Sequence, residues 1–475
     1  MGKHLKPGET PEESQNNEMN SQPRPFFILG HPRSGTTALA RLLNSSLQLA
    51  CIYYESNILV HLWKMLNRKE VLQEAVEELL LDFRTAAQYN LQERPTNLNC
   101  RKIIFTTPAV DQLTDSFKQA LDSLSDIGEI YQYVSRSFFQ IFANTAGIAV
   151  VGDKVPDYTY IPDVITLPHS SCKLIAIHRD PRAIVHSALF FNREVLHLFA
   201  SPNPFAMALS IALRERGLCE FYKGFPEERL LRIEQQELHS SPSGVAEKTL
   251  SFLGMPGMDN DVVWFLKKSE EKPYRIKNWC TDMSAEAREA VEVVFDVFNL
   301  FENSKYRKGH CNASALLEMA KCLKALSEAP EKDLPLLCRD LPNNVRTAEH
   351  RETLGCSLIK IGDYYYMKAR FARARSFFEA ALGFSPHDPI LWFKYGVLCF
   401  DMKLLDTAMD AFQETEANCA QTRYYQHLRT KAFYMRGRVA QLSADKSQAI
   451  GFYRHAIKIS PDFRLAQRML AFLDA

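Results

Sequence analysis

Phe26-Phe27-Ile28-Leu29-Gly30-His31-Pro32-Arg33-Ser34-Gly35-Thr36-Thr37-Ala38-Leu39-Ala40-Arg41-Leu42-Leu43 decides the fold. Four consecutive large apolar residues suit a short strand buried on both faces. After Thr37 the apolar residues fall on one side of a helix. Between the two lies a turn bounded by Gly30 and Gly35, which aims backbone N–H groups at one point in front of a helix N-terminus, where the dipole favours negative charge. Arg33, Ser34, Thr36 and Thr37 add side-chain donors. The segment therefore reads as strand, anion loop, helix. Its Gly-x4-Gly spacing is that of a nucleotide P-loop, yet Thr36 stands where a nucleoside triphosphatase places its phosphate-binding Lys.

Outward from this loop, short apolar runs at 148–151, 173–177 and 230–233 predict further strands, and amphipathic segments near 70–92, 111–144, 204–223 and 243–253 predict helices between or after them. The pattern gives an α/β domain, a P-loop-type parallel sheet flanked by helices, over 25–305. Residues 1–24, rich in Glu, Asn, Gln, Ser and Pro, predict a disordered tail. A helical connector is expected over 306–354. From 355 to 475 the landmarks repeat: Gly362, Tyr365, Ala374, Phe378, Ala381 and Pro386; then Trp392, Gly396, Ala408 and Phe412; then Phe433, Gly437, Ala449, Tyr453, Ala456 and Pro461. These offsets resemble the tetratricopeptide repeat, an all-α unit in which small residues let two helices approach and aromatics fill the gap. Repeats starting at about 355, 389 and 430 place a seven-residue insertion in the second. Residues 464–475 read as a capping helix.

The 475 residues carry a formal net charge of +1 and are 46% hydrophobic. That balance lacks the basic excess of a general nucleic-acid binder, so an anion site must be local. No run approaches the roughly 18 apolar residues of a membrane span, and no apolar signal core opens the chain. A cytoplasmic address is the expectation. Lys6 stands where a myristoylation signal wants Ser or Thr. The eleven Cys form no cluster of metal-ligand spacing and read as reduced, mostly buried residues.

A second strand-to-helix junction is Lys173-Leu174-Ile175-Ala176-Ile177-His178-Arg179-Asp180-Pro181-Arg182-Ala183-Ile184-Val185-His186-Ser187. Asp180 suits an N-cap and Pro181 the first helical position. With Pro32-Arg33-Ser34-Gly35-Thr36-Thr37, this segment resembles the two cofactor motifs of the sulfotransferases that use 3′-phosphoadenosine 5′-phosphosulfate (PAPS), closer to the tyrosylprotein-type and bacterial members. The resemblance implies that Arg33, Ser34, Gly35, Thr36 and Thr37 hold the 5′-phosphosulfate, and that Arg179 and Ser187 hold the 3′-phosphate. It implies PAPS as cosubstrate and no metal. Val151-Gly152-Asp153-Lys154-Val155-Pro156 matches the family's Lys-Pro strand end, and Arg275-Ile276-Lys277-Asn278-Trp279 its late basic loop, which adds Lys277 to the cofactor set. Arg232-Ile233-Glu234-Gln235-Gln236-Glu237-Leu238 resembles its Tyr-Glu-Asp-Leu strand end, with Ile233 and Gln235 departing from the pattern; this segment reads as structural.

Sulfuryl transfer shares the in-line logic of phosphoryl transfer, so cations must face the moving group. Arg33 and Lys154 are the candidates. A hydroxyl or amine acceptor also needs a base. Glu55, in Cys51-Ile52-Tyr53-Tyr54-Glu55-Ser56, resembles the carboxylate base of the tyrosylprotein enzymes, although one more residue separates it from Arg33 than that pattern has. No His occurs between His61 and His169, where the small-molecule enzymes place theirs. His31, His178 and His186 read as packing or cofactor-side residues. Two other readings stand beside this one. An ATP-using phosphotransferase would need Lys at position 36 and a metal-holding carboxylate. A tetratricopeptide scaffold with a degenerate nucleotide domain would not need Arg33, Arg179 and Ser187. The acceptor, a small molecule or peptide, is not legible, and the repeats could bind a protein partner, self-associate or pack on the active site.

Overall fold

Strand β1 (Arg24–Leu29) is the middle of a five-stranded sheet of order β2-β3-β1-β4-β5, with β2 at Leu49–Ile52, β3 at Val150–Lys154, β4 at Lys173–His178 and β5 at Leu230–Glu234. Every neighbouring pair is parallel. The structure is a computed structural model and describes residues 23–52, 58–67, 107–166, 171–194, 203–270, 279–300, 314–339, 341, 347–420 and 423–474. The predicted helix 70–92 and nearly all of the predicted tail lie outside the described residues; β1 already begins at Arg24.

Alternation along β1 explains the layers. Phe26 and Ile28 point to one face, where helix α1 (Thr36–Asn44) brings Leu39, Leu42 and Leu43, and two later helices bring Val245, Leu250, Val262 and Leu266. Phe27 points the other way, edge-on to Phe139 of helix α2 (Ile127–Ala146) and to Tyr158. Both faces are covered, as a parallel sheet requires. The single helix expected over 111–144 is two, Thr107–Ser123 and α2. Asp126 stops the continuation because its carboxylate accepts the Glu129 N–H at 3.0 Å, an N-cap that competes with uninterrupted helix. The strand expected at 148–151 is displaced to Val150–Lys154, because pairing with β1 carries Asp153 opposite Phe27 and Lys154 opposite Ile28.

The chain forms two compact units interleaved in sequence. One comprises Met1–Asp180 and Gly217–Ile276, the other Pro181–Arg216 and Lys277–Ala475. In the second unit, helix α3 (Pro181–Glu194) packs on the helices at Trp279–Asp282 and Ala285–Val297, with the Arg182 guanidinium 4.3 Å from the Trp279 ring centre. Asn203 donates to the Thr353 hydroxyl at 3.0 Å, and Arg216 pairs with Glu328. Segment 181–216 is thereby built into the same body as the C-terminal helices.

Those helices are α4 (Ala348–Met367), α5 (Phe371–Phe384), α6 (Pro389–Asp401), α7 (Leu405–Asn418), α8 (Arg423–Leu442), α9 (Lys446–Ile459) and α10 (Arg464–Asp474). They pack as pairs α4/α5, α6/α7 and α8/α9. In each pair a glycine of the first helix touches an aromatic ring of the second: Gly362 with Phe378, Gly396 with Phe412, Gly437 with Tyr453. A Cβ at these glycines would sit 2.5, 2.7 or 2.4 Å from the ring. Each first helix closes through a left-handed residue, Ala369, Lys403 or Ala444. The second helices all have 14 residues, whereas α4, α6 and α8 have 20, 13 and 20. The extra residues expected as an insertion in the second repeat therefore lengthen the first helix of the third pair. Helix α10 covers the last pair, with Ala466 in the cluster around Tyr453.

Candidate active site

The loop after β1 is shaped by two consecutive needs, to leave the sheet and to start a helix. The Ser34 N–H donates to the His31 carbonyl at 3.0 Å, closing a turn. Arg33 (φ 73°) and Gly35 (φ 102°) are both left-handed, a conformation costly for arginine and natural for glycine. Helix bonding begins with Leu39 N–H to Gly35 carbonyl at 3.0 Å. Gly35 is the N-cap and supplies no side-chain acceptor, and the first turn holds no acid. The opening amides of α1 are thus left to an external acceptor. Ser34 is fully buried, and its hydroxyl has no partner among the described residues. A donor set of this kind, uncapped amides with a buried hydroxyl, fits an oxyanion.

Two cations come to this loop from neighbouring strand ends. Lys154, 4% exposed, leaves β3 on the side of Ile28 and reaches the Thr37 hydroxyl with its Nζ at 3.4 Å. Arg179, just past β4, donates from its guanidinium to the Arg33 carbonyl. From β5, Gln235 donates its backbone N–H to the His178 carbonyl at 2.7 Å, and its amide meets the His239 ring at 2.6 Å. Burial first, and the Arg179 charge second, lower the His239 pKa, so its ring stays neutral near pH 7. Gln235 and Leu238 lie against Gly35, where a Cβ would be 3.2 Å from each. The segment that departs from the family pattern therefore supports the loop from behind, and Glu234 is exposed at its strand end. His178 packs edge-on to Tyr222 at 5.8 Å, and His31 is buried.

Asp153 was not singled out by sequence reasoning. It is fully buried, accepts the Tyr158 hydroxyl at 2.8 Å on one oxygen and takes the Lys154 backbone N–H at 2.8 Å on the other. Burial, then the Asp153 charge, raise both the Cys51 thiol and the Tyr158 phenol far above their ordinary values. A buried acid immediately before a buried Lys is the signal that marks it.

Arg33, Ser34, Gly35, Thr36, Thr37, Lys154 and Arg179 are thus gathered at the carboxyl ends of β1, β3 and β4, where open α/β sheets place ligands. Ser187 lies on α3, in the second unit. Glu55 and Lys277 lie outside the described residues. Among the described residues no three His, Cys, Asp or Glu side chains gather as for a metal ion, and no helix is long and apolar enough to cross a membrane.

Sheet order and loop define an open parallel α/β protein with an anion-type loop at its central strand. Residues 25–260 match the family model described as "Sulfotransferase family", and residues 430–463 that of the "Tetratricopeptide repeat". Residues 25–260 thus form a sulfotransferase-family domain, and the chain joins it to a helical region containing a tetratricopeptide repeat. Among solved structures the chain is similar to a sulfotransferase from Mycobacterium avium, with 16% identity, coverage of 61% of this chain and 81% of that one, and a TM-score of 0.36. It is also similar to the sulfotransferase domain of the Synechococcus PCC 7002 olefin synthase (20%, 57% and 94%, 0.36) and to a sulfotransferase from Mycobacterium tuberculosis H37Rv (16%, 59% and 79%, 0.33). No curated protein matches the chain.

Proposed function

We propose that this protein transfers the sulfuryl group of PAPS to a hydroxyl or amine, with the loop after β1 holding the 5′-phosphosulfate. The observation that carries the reading is that Lys154 and Arg179 both reach a loop whose opening helix amides and buried Ser34 hydroxyl have no acceptor of their own. In this reading Arg33, Ser34, Gly35, Thr36 and Thr37 bind the 5′ end, Arg179 and Ser187 the 3′-phosphate, and Lys277 closes over the cosubstrate. As the acceptor forms its bond to sulfur, the bond from sulfur to the bridging oxygen breaks, and the electron pair leaves with the 5′-phosphate. Arg33 and Lys154 face the oxygens on which that charge grows. Glu55 takes the acceptor's proton. No metal is assigned a part.

The transferase domain is read as 25–305, the connector as 306–354 and the repeats as 355–475, in a cytoplasmic protein. The repeats suit a protein or peptide partner, which includes a peptide acceptor.

Calorimetric titration with 3′-phosphoadenosine 5′-phosphate (PAP), the product nucleotide, against ATP with Mg²⁺ tests the reading. Metal-independent binding of PAP that Arg179→Ala abolishes is the expected result. Binding of ATP with Mg²⁺ alone would overturn it in favour of a phosphotransferase, and binding of neither nucleotide in favour of a scaffold.

A further inference from the structure

Among the described residues five large apolar side chains stand exposed, and three of them sit on two linked segments of the first unit: Leu47 at 61%, Val263 at 38% and Trp264 at 49%. Their neighbourhood is fixed by Asp259. One oxygen of its carboxylate accepts the Ser46 hydroxyl at 2.8 Å and the Leu47 N–H at 2.7 Å, and the other caps helix Asn260–Glu270 through the Val262 N–H at 3.0 Å. Gln48 adds a bond to the Gly257 carbonyl at 3.0 Å. The turn that bears Leu47 is therefore tied to the start of the helix that bears Val263 and Trp264.

That helix is sorted into two faces. Val262 and Leu266 are buried in the core under the sheet. Val263, Trp264, Lys267 and Lys268 point outward, and one turn separates Val263 from Lys267 and Trp264 from Lys268. The Lys268 ammonium lies 4.3 Å from the centre of the Trp264 ring. Apolar side chains thus stand at the helix start and two cations one turn further on. Two acids stand close by: Asp261 in the first turn of the same helix, and Asp259, whose carboxyl burial raises but the Leu47 and Val262 amides and the Ser46 hydroxyl help hold below the ordinary range.

We infer that this face docks on an anionic bilayer surface. The side chains decide between a lipid and a protein surface. Tryptophan and aliphatic residues beside lysines are the composition of a face that dips its apolar part among acyl chains and leaves its cations with the headgroups. Lysine is depleted where proteins bury surface against each other, so two adjoining lysines count against a protein partner. Each lysine near an anionic surface contributes severalfold in affinity, and the contribution fades with salt. Docking by this face would bring the first unit to acceptors held in or at a membrane. The inference rests on the patch alone, independently of the sulfuryl-transfer reading.

Sedimentation of the full chain with vesicles of phosphatidylcholine plus phosphatidylserine, against phosphatidylcholine alone, is the test. The serine-containing vesicles should carry the protein down and the others should not. Trp264→Ala should weaken binding about tenfold, and Lys267→Glu with Lys268→Glu about 30-fold or more. All three residues are exposed, so the variants should melt with the wild type. Failure of the wild type to sediment with either vesicle, or variants that sediment like the wild type, would overturn the inference. Equal binding to both vesicles would also overturn it, because the lysines would then have no part.

Discussion

Glycine and the left-handed backbone are used in both halves of this molecule, to opposite ends. In the repeats Gly362, Gly396 and Gly437 sit in ordinary helix, and what matters is the missing Cβ, which lets a ring lie on the backbone. In the loop after β1, Gly35 matters for its φ of 102°, which turns the chain so that amides face outward. Apart from Asn299, which follows helix Ala285–Val297, the left-handed residues other than glycine divide the same way. Ala369, Lys403 and Ala444 end helices, each followed by a residue whose N–H bonds back to the carbonyl of Tyr365, Cys399 or Ala440 at 2.9 Å. Arg33 closes no helix; its carbonyl accepts from the Arg179 guanidinium. Strain that is structural punctuation in one half falls, in the other, on a residue assigned to the site by the proposed function.

The comparison can be broken most decisively at the loop. Arg33→Gly removes a left-handed side chain and should not lower the melting temperature, yet under the proposed function formation of PAP from PAPS should fall about 100-fold or more. A drop in stability with activity retained would reverse the assignment. In the repeats the opposite pattern is expected. Gly396→Ala places a Cβ 2.7 Å from Phe412 and should cost about 1–3 kcal/mol in denaturant unfolding. Adding Phe412→Leu should recover part of that loss. Ala444→Gly should stabilise by about 1 kcal/mol, since it relieves a φ of 59° and touches no ring.

Charge offers two finer tests. Burial, then the nearby Lys394, lower Lys360 on α4 to about 8. Between that value and the ordinary lysine range the unfolded chain holds a proton that the folded chain has lost, so wild-type stability rises with pH there. Lys360→Met should therefore raise the melting temperature by a few degrees at pH 7, with a gain that shrinks as the pH passes 8. At the loop, Arg179→Ala should move the His239 titration upward, read from its ring resonances by NMR, because a neighbouring positive charge is gone.

The loop was legible because its donors lie within eight residues of sequence and the physics of a helix N-terminus is local. The repeats were legible for a related reason: each landmark repeats at a fixed offset, as in Gly362 to Phe378, Gly396 to Phe412 and Gly437 to Tyr453. Asp153 escaped notice because an acid after an apolar run reads as the end of a strand, whereas pairing to β1 continues through it. The break at Asp126 had a local sign, an acid three residues before Glu129, but the apolar period on either side masked it. Membership of 181–216 in the second unit had no sign at all. Its partners, such as Thr353 for Asn203, are far along the chain, and nothing periodic connects them.

That membership sets an order of events during synthesis. Strand β4 and the loop it serves leave the ribosome well before the helices on which α3 packs. Residues 181–216, nearly all apolar over Phe205–Leu213, must therefore wait through the translation of some hundred and fifty more codons before Thr353 arrives. A gene cut at residue 305 would deliver that segment without most of its own unit. The first helix of the repeats thus completes, through Thr353, the packing of a segment translated long before it.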